Sequence, residues 1–390
     1  MAQTLEDGVA GCLCGIAVGD ALGGSTEGYS PEAIRERFGG WVTDIVGPFS
    51  ENWQTARPVS PFHKGDGHIT DDTLMTLALC NVYLEVRRHL TAFDMADYLI
   101  PEIADRVDYI PELESDTVLV NRLFHAEKYL VLRLRHARID PREAGVGNVV
   151  NCGAAMFMAP VGVVNAGNPA GAYQEAIDLA GAHQSSYGRE AAGVMAAAVA
   201  EALRPGASVA SVVAVCLELS RDGTHAAIRA VTEAARQCSD YKEAIPVLRE
   251  AVRPFDTVGE TYREPELDAR KPGRTKAIEE LPVALGMLVA TGGNYKDAVL
   301  GGVNYGRDSD SIAQMAGAVA GALRGEVAIP TVWLNRVTEA SRRDVRSVAS
   351  ALAVVAAEVL GQDRAAWQKR LEGFPEVAAK TPDRTPAESP

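Results

Sequence analysis

Apolar residues recur at three- and four-residue spacing along most of the chain, which is the period of an amphipathic helix. The stretches LMTLALCNVYLEVRRHL at 74–90 and AGVMAAAVAEAL at 192–203 illustrate the pattern. Alternating apolar and polar runs with many β-branched side chains, which would indicate strands, are scarce. The pattern predicts an all-α protein without a β-sheet of any size.

Glycine and alanine fill many of the apolar helix positions, as in AGAVAGAL at 316–323. Such small-residue stripes favour close helix packing, and we predict one large, compact, bundle-like domain over residues 1–370. The remaining residues, 371–390, are predicted to be a disordered tail because they are rich in proline and polar residues. Residues 39–67 and 254–276 interrupt the helical pattern, and long loops in compact domains are often functional.

Composition narrows the classes of partner. The chain has 390 residues, 47% of them hydrophobic, and a net charge of -14. This charge, without a Lys/Arg cluster, opposes binding to nucleic acid or to an anionic membrane, so small molecules or proteins are the expected partners. The N-terminus lacks a signal peptide pattern, and we expect a soluble, cytoplasmic protein. Six scattered cysteines without a C-x-x-C pair are predicted to be reduced core residues.

Two acidic clusters stand directly before apolar helices, TDDT at 70–73 and DSDS at 308–311. Neighbouring carboxylates repel each other, and this repulsion is costly beside an apolar wall unless a cation compensates it. Thr70 and Ser311 add a hydroxyl to each pair, so both donor sets contain oxygen and neither nitrogen nor sulfur. Hard oxygen donors favour Mg²⁺, Mn²⁺ or Ca²⁺ over zinc. If the two helix starts meet, their four carboxylates can bridge two cations.

Each cluster also has a purely structural interpretation. Asp71 and Asp308 can serve as helix N-caps, and acids in a first turn interact favourably with the helix dipole. A third acidic segment, GDALGGSTE at 19–27, is similar, because Asp20 ends a small-residue helix and Glu27 follows a Gly-Gly turn. On this interpretation the segment is a helix stop with a solvated glutamate. A cap needs one acid, however, whereas each cluster holds two.

Five segments, in order along the chain, resemble the ADP-ribosylglycohydrolase family, whose bacterial prototype reactivates dinitrogenase reductase by removing ADP-ribose. They are GDALGGSTE, TDDT, NCGAAMFMAP, GAHQSSYG and NYGRDSDSIAQMAGAVAGALRG. The resemblance spans roughly residues 8–335, and the ordered set is more specific than any one segment. It implies an all-α fold with a binuclear Mg²⁺ site, which in some members holds Mn²⁺.

The resemblance also implies roles for individual residues. The implied metal ligands are Thr70, Asp71, Asp72, Asp308, Asp310 and Ser311, and the implied catalytic residues are Glu27, Asp71 and Asp310. Glu27 corresponds to the mobile glutamate of the family, which is assigned either metal coordination or acid–base catalysis. Asn151, Gly153 and His183 match the substrate cleft of the family. Without the resemblance, His183 would be interpreted as a helix-terminal histidine.

Ser311 stands where many relatives have threonine, a change that keeps the hydroxyl, and three positions around the substrate depart further from the family pattern. Phe157 stands in place of an arginine, Arg307 in place of a glycine, and Ala182 in place of a threonine. We therefore expect the catalytic centre to be intact and the residues around the substrate to differ from those of the family. Arg307 is the predicted substrate contact, where it could pair with a phosphate or carboxylate; alternatively it balances the charge of Asp308.

The reaction expected from this resemblance is metal-dependent hydrolysis at C1″ of ribose, through an oxocarbenium-like transition state. The substrate would be an ADP-ribosylated protein, releasing ADP-ribose or ribose (phosphate), or alternatively a small N-ribosylated, nucleotide-like metabolite. A class I terpene cyclase is disfavoured because its motif needs an acid where Met75 and Thr76 stand, and its pocket needs aromatics, which make up 6% of the chain. A non-catalytic ADP-ribose-binding module remains as a further alternative, against which the complete ligand set argues.

Overall fold

The computed structural model describes residues 4–55, 63–256 and 277–374. Within these residues the chain forms seventeen α-helices, which confirms the predicted all-α class. They are α1 Leu5–Gly23, α2 Pro31–Phe38, α3 Asp71–Val86, α4 Ala92–Asp94, α5 Ile100–Ala104, α6 His125–Val131, α7 Ala159–Val164, α8 Pro169–Ala180, α9 Ser186–Ala202, α10 Val209–Leu219, α11 Asp222–Ala235, α12 Tyr241–Val252, α13 Ala277–Ala290, α14 Tyr295–Tyr305, α15 Ser309–Arg324, α16 Thr331–Ser341 and α17 Val345–Glu372. Shorter 3₁₀ segments are Pro111–Leu113, Leu119–Asn121, Cys152–Phe157, Arg253–Phe255 and Glu326–Ala328, and π segments are Met95–Leu99 and Leu132–His136.

The described chain also contains a small antiparallel hairpin, β1 Val107–Ile110 and β2 Ser115–Val118. Four-residue strands are too short for the alternation that would reveal them in the sequence. The described parts of the predicted loop at 39–67 contain neither helix nor strand. Residues 257–276 of the second predicted loop and 375–390 of the predicted tail lie outside the described residues.

Helices α1 and α15 form a close antiparallel pair. Glycines at four-residue spacing on α1 face α15, and they are Gly11, Gly15, Gly19 and Gly23. A Cβ atom at Gly15 would lie 2.4 Å from the carbonyl oxygen of Gly317, closer than real contacts allow. The stripe of small residues therefore sets the helix spacing. Because the pair is antiparallel, the end of α1 lies beside the start of α15, where the DSDS cluster stands.

Helix α17 is the one helix of the described chain whose length and composition would allow it to cross a membrane. Its side chains Leu352, Val355 and Val359 are fully buried, and the helix packs against α1, α3 and α7. These apolar residues therefore serve the core of the domain, as expected for a core helix.

Candidate functional site

The first acidic pair forms the first turn of α3. The N-cap of this helix is Thr70 rather than Asp71, since the Thr70 hydroxyl accepts a hydrogen bond from the Asp72 amide at 3.3 Å. The buried Asp20 carboxylate fixes the same helix start: it accepts hydrogen bonds from the Thr70 amide at 2.9 Å and the Thr73 amide at 3.1 Å. Burial is the largest of the effects that raise the pKa of Asp20 to about 6.

The second acidic pair stands at the start of α15. Asp308 occupies the N-cap position without a capping hydrogen bond from its side chain, and Asp310 lies in the first turn. Ser309 points away from the pair and donates a hydrogen bond to the Gly23 carbonyl at 2.9 Å. The Thr26 hydroxyl donates to the carbonyl of Val303 at 2.8 Å. These bonds attach the end of α1 and the turn after it to the start of α15 and to α14.

The two helix starts and the turn after α1 meet in one buried cleft with a volume of about 30 Å³. The lining residues are Glu27, Asp71, Asp72, Phe124, Glu127, Asn151, Cys152, Gly153, Met156, Asp308, Asp310 and Ser311. Glu27 is 1% exposed, which excludes the interpretation of this residue as a solvated acid after a helix stop. The structure thus brings both predicted carboxylate pairs, Ser311 and Glu27 together, whereas Thr70 is not among the lining residues.

The cleft strongly disfavours uncompensated negative charge. Burial raises the pKa of Asp72 well above its usual range, and repulsion from Asp310 adds to this effect. Burial and then Glu127 raise the pKa of Asp71 to about 7, against the opposing charge of Arg122, whose Nη1 lies 3.9 Å from Asp71 Oδ1. A bound cation would favour the ionised form of these carboxylates.

The residues present fit a divalent metal ion. Asp72 Oδ2 and both carboxylate oxygens of Glu127 have no hydrogen-bond partner within the described part of the chain, although both residues are buried. Buried polar atoms in this state are costly unless a ligand satisfies them. Four aspartates with a hydroxyl from Ser311 supply the hard oxygen donors that such ions prefer.

Two further side chains bring a nitrogen and a sulfur atom close to the predicted oxygen donors. His63 Nε2 lies 2.6 Å from Glu27 Oε2 and 3.3 Å from Asp310 Oδ2. Cys152 Sγ lies 3.6 Å from Asp308 Oδ2 and 3.4 Å from the Ser311 hydroxyl, so this cysteine lines the cleft rather than only filling the core. No local pattern points to either residue, because each meets its acidic neighbours only through the tertiary fold.

Two of the predicted substrate residues, Asn151 and Gly153, line one wall of the cleft, and the third, His183, lies behind it. Asn151 Oδ1 accepts hydrogen bonds from the Gly153 amide at 3.0 Å and from Gln184 Nε2 at 2.8 Å. A Cβ atom at Gly153 would lie 3.0 Å from Glu127 Oε1 and 3.2 Å from His183 Cε1, so glycine makes room for this convergence. His183 is fully buried behind the wall, with Nε2 at 3.4 Å from Glu127 Oε1.

Arg307 does not line this cleft. Its Nε donates to Glu279 at 2.8 Å and its Nη2 to Asp256 Oδ2 at 3.0 Å, so the side chain pairs with buried acids of the protein itself. It borders a separate cavity of about 670 Å³, beside Trp41 and Lys242. Phe157 is fully buried, and its ring lies 5.7 Å from that of His183.

Glu127 and Arg122 are further site residues that our sequence analysis did not single out. The sequence does carry a signal for Glu127, which lies three residues before Leu130 and seven before Leu134, on the apolar face of its helix. An acid on such a face has to find a partner or a ligand. Arg122 carries no such signal, since it lies in the turn before α6 and donates to the carbonyl of Ile69 at 3.3 Å.

The chain is similar to several known proteins. A sequence profile of the family described as ADP-ribosylglycohydrolase matches residues 1–363. Similar curated proteins include an uncharacterized protein of Archaeoglobus fulgidus, 28% identical over 85% of this chain and 92% of that protein. The uncharacterized protein YegU of Escherichia coli is 25% identical over 88% of this chain and 96% of its own length. The ADP-ribosylarginine hydrolase Tri1 of Pseudomonas putida is 25% identical over 85% of this chain and 74% of its own.

Among solved structures, an ADP-ribosylglycohydrolase-related protein complex superimposes with a TM-score of 0.62. At 23% identity it covers 90% of this chain and 99% of that chain. This likeness concerns the fold, and it agrees with the all-α architecture described above.

Proposed function

Because this chain belongs to the ADP-ribosylglycohydrolase family, we propose that it hydrolyses the bond at C1″ of ribose in an ADP-ribosylated or ribosylated substrate. The observation that carries the proposal is the convergence of the TDDT and DSDS helix starts and Glu27 in one buried cleft. ADP-ribosylated arginine is the first substrate to test, since one relative is named an ADP-ribosylarginine hydrolase. A nucleotide-like N-ribosyl metabolite is the second. We expect the protein to act in the cytoplasm.

The acidic residues of the cleft would hold two divalent cations, Mg²⁺ or Mn²⁺. Asp71 and Asp72 supply donors from α3, and Asp308, Asp310 and Ser311 supply donors from α15. When bound, such ions position the vicinal hydroxyls of ribose and lower the pKa of a coordinated water. The small volume of the cleft leaves room for ions and about one water molecule, so the ribose has to enter from the mouth.

Glu27 is the residue we assign to proton transfer. Its carboxylate accepts the proton of the water whose oxygen attacks C1″, and it returns a proton to the departing nitrogen or oxygen as the glycosidic bond breaks. The remaining carboxylates stabilise the positive charge that develops on the ribose ring in the transition state. A buried carboxylate is suited to this work because the cleft excludes competing water.

Asp310→Asn tests the assignment. We expect the variant to lose hydrolysis by about 100-fold or more and to bind Mg²⁺ weakly, because it removes one of the charges that hold the cations. The matched control is Asp116→Asn, which makes the same change on the exposed strand β2. Far-UV circular dichroism reports whether both variants keep their helices. Wild-type hydrolysis in Asp310→Asn would contradict the proposal.

A further inference from the structure

His63 lies beside Glu27 and Asp310 of the cleft, and close backbone packing fixes the segment that follows it. A Cβ atom at Gly65 would lie 2.7 Å from the Gly47 carbonyl carbon and 2.8 Å from the Ser25 hydroxyl, and Gly65 has a φ of +64° that suits glycine. The Asp66 amide donates to the carbonyl of Val46 at 2.8 Å. These contacts fasten the segment after His63 to Val46 and Gly47 and to Ser25, which lies two residues before Glu27. The position of the imidazole is therefore determined by the fold.

The imidazole nitrogen and two carboxylates form a compact donor set. His63 Nε2, a carboxylate oxygen of Glu27 and a carboxylate oxygen of Asp310 all lie within 4.8 Å of one another, and all three residues are buried. His63 Nε2 lies 2.6 Å from the Glu27 oxygen and 3.3 Å from the Asp310 oxygen. Neighbouring ligands on an octahedral ion with bonds of about 2.1 Å are about 3.0 Å apart. The two observed separations bracket this spacing.

A simple counter-charge role for His63 does not account for the whole cleft. One imidazolium supplies one positive charge, whereas the lining of the cleft includes six carboxylates. Asp72 and Glu127 line the same cleft and are more than nine-tenths buried, and Asp72 Oδ2 and Glu127 Oε2 have no hydrogen-bond partner within the described ranges. These orphaned oxygens point independently to a cationic ligand.

We propose that His63 Nε2 is a nitrogen ligand of one cation in the cleft, with Asp310 and Glu27, and that it makes this position selective for a first-row transition ion over Mg²⁺. Imidazole binds ions such as Co²⁺ far better than Mg²⁺, which prefers oxygen. Glu27 needs only one oxygen for this contact. The inference rests on the proposed function in that it concerns the same cleft, but it makes a claim about metal choice that can be tested without a substrate.

The experiment compares binding of Co²⁺ and Mg²⁺ to the metal-free full chain by calorimetry and by the visible absorption of bound Co²⁺. The two ions are of nearly equal size, so their affinity ratio reports donor chemistry rather than fit. In His63→Gln we expect the preference for Co²⁺ to fall about 10-fold or more, with a change in the absorption bands. His68→Gln is the matched control, because His68 Nδ1 bonds to the carbonyl of Gly65 at 2.8 Å outside the donor set.

Pulsed EPR of Mn²⁺ bound to the wild type keeps the test decisive if His63→Gln fails to fold. We expect a nitrogen-14 coupling typical of a directly bound imidazole. Its absence, or an unchanged Co²⁺ preference in a folded His63→Gln variant, overturns the inference. Nitrogen coordination in a protein that cleaves none of the substrates supports the inference while the proposed function fails. Hydrolysis without nitrogen coordination leaves the function standing and overturns the inference alone.

Discussion

The glycine stripe between α1 and α15 makes a strong prediction about stability. In Gly19→Ala the new Cβ atom would lie 2.4 Å from the carbonyl oxygen of Ala313, 2.7 Å from its carbonyl carbon and 2.9 Å from the amide nitrogen of Gln314. Ordinary contact begins at 3.4 Å, so the two helices have to separate by about 1 Å. All three obstructing atoms belong to the backbone, and no rotamer change can relieve the contact.

The expected size of the effect follows from two opposing contributions. Overpacking costs about 1–3 kcal/mol, and a backbone obstacle places Gly19→Ala near the upper value. The gain in helix propensity from glycine to alanine returns about 1 kcal/mol. The net loss in the free energy of unfolding is therefore about 2 kcal/mol.

Gly361→Ala is the matched control, because a Cβ atom there meets nothing within 4 Å and the site lies inside α17. This variant keeps only the propensity gain, and we expect it to be more stable than the wild type by about 0.5–1 kcal/mol. Urea denaturation followed by far-UV circular dichroism measures both variants. Equal stability of Gly19→Ala and Gly361→Ala would refute the account of the helix pair.

Three further predictions concern single side chains. Glu27→Gln should lower kcat more than it raises KM in steady-state hydrolysis, and equal losses would contradict the proton-transfer role. The pKa of His89 is raised to about 9 by the hydrogen bond between His89 and Glu175. The stability that this contact provides is therefore complete below about pH 6.5 and is lost as the pH rises through 9. In thermal melts at a series of pH values, His89→Gln should flatten this loss of stability. Among the six cysteines only Cys238 is partly exposed, so mass spectrometry after alkylation of the native protein should find label there first, and rapid labelling of Cys152 would contradict its burial.

The parts of the molecule that follow from local sequence were predictable. The small-residue stripes predict close helix packing, and helices α1 and α15 pack in this way. The TDDT and DSDS clusters stand at helix starts because a threonine caps one helix and Asp308 occupies the cap position of the other. In both cases the signal lies within a few residues, where propensity and capping act.

The parts that depend on distant contacts were not predictable. His63 and Cys152 meet the acidic pairs across sequence separations of 247 and 156 residues, and neither stands in a repeating pattern. The fold thus places the nitrogen of His63 and the sulfur of Cys152 beside oxygen donors that the sequence motifs already indicate.

Arg307, which stands where the family pattern has a glycine, supports the site through its backbone rather than through its side chain. It adopts a φ of +55°, and its side chain is directed to Glu279 and Asp256 in the protein interior. Its backbone meanwhile holds the turn that carries Glu27: the Gly28 amide donates to the Arg307 carbonyl at 2.6 Å, and the Arg307 amide donates to the Tyr29 carbonyl at 2.9 Å. The buried ion pairs resist movement of this residue, since breaking one leaves a charge uncompensated. Arg307 thereby couples the Glu27 turn to the start of α15 through its backbone, whichever substrate enters the cleft.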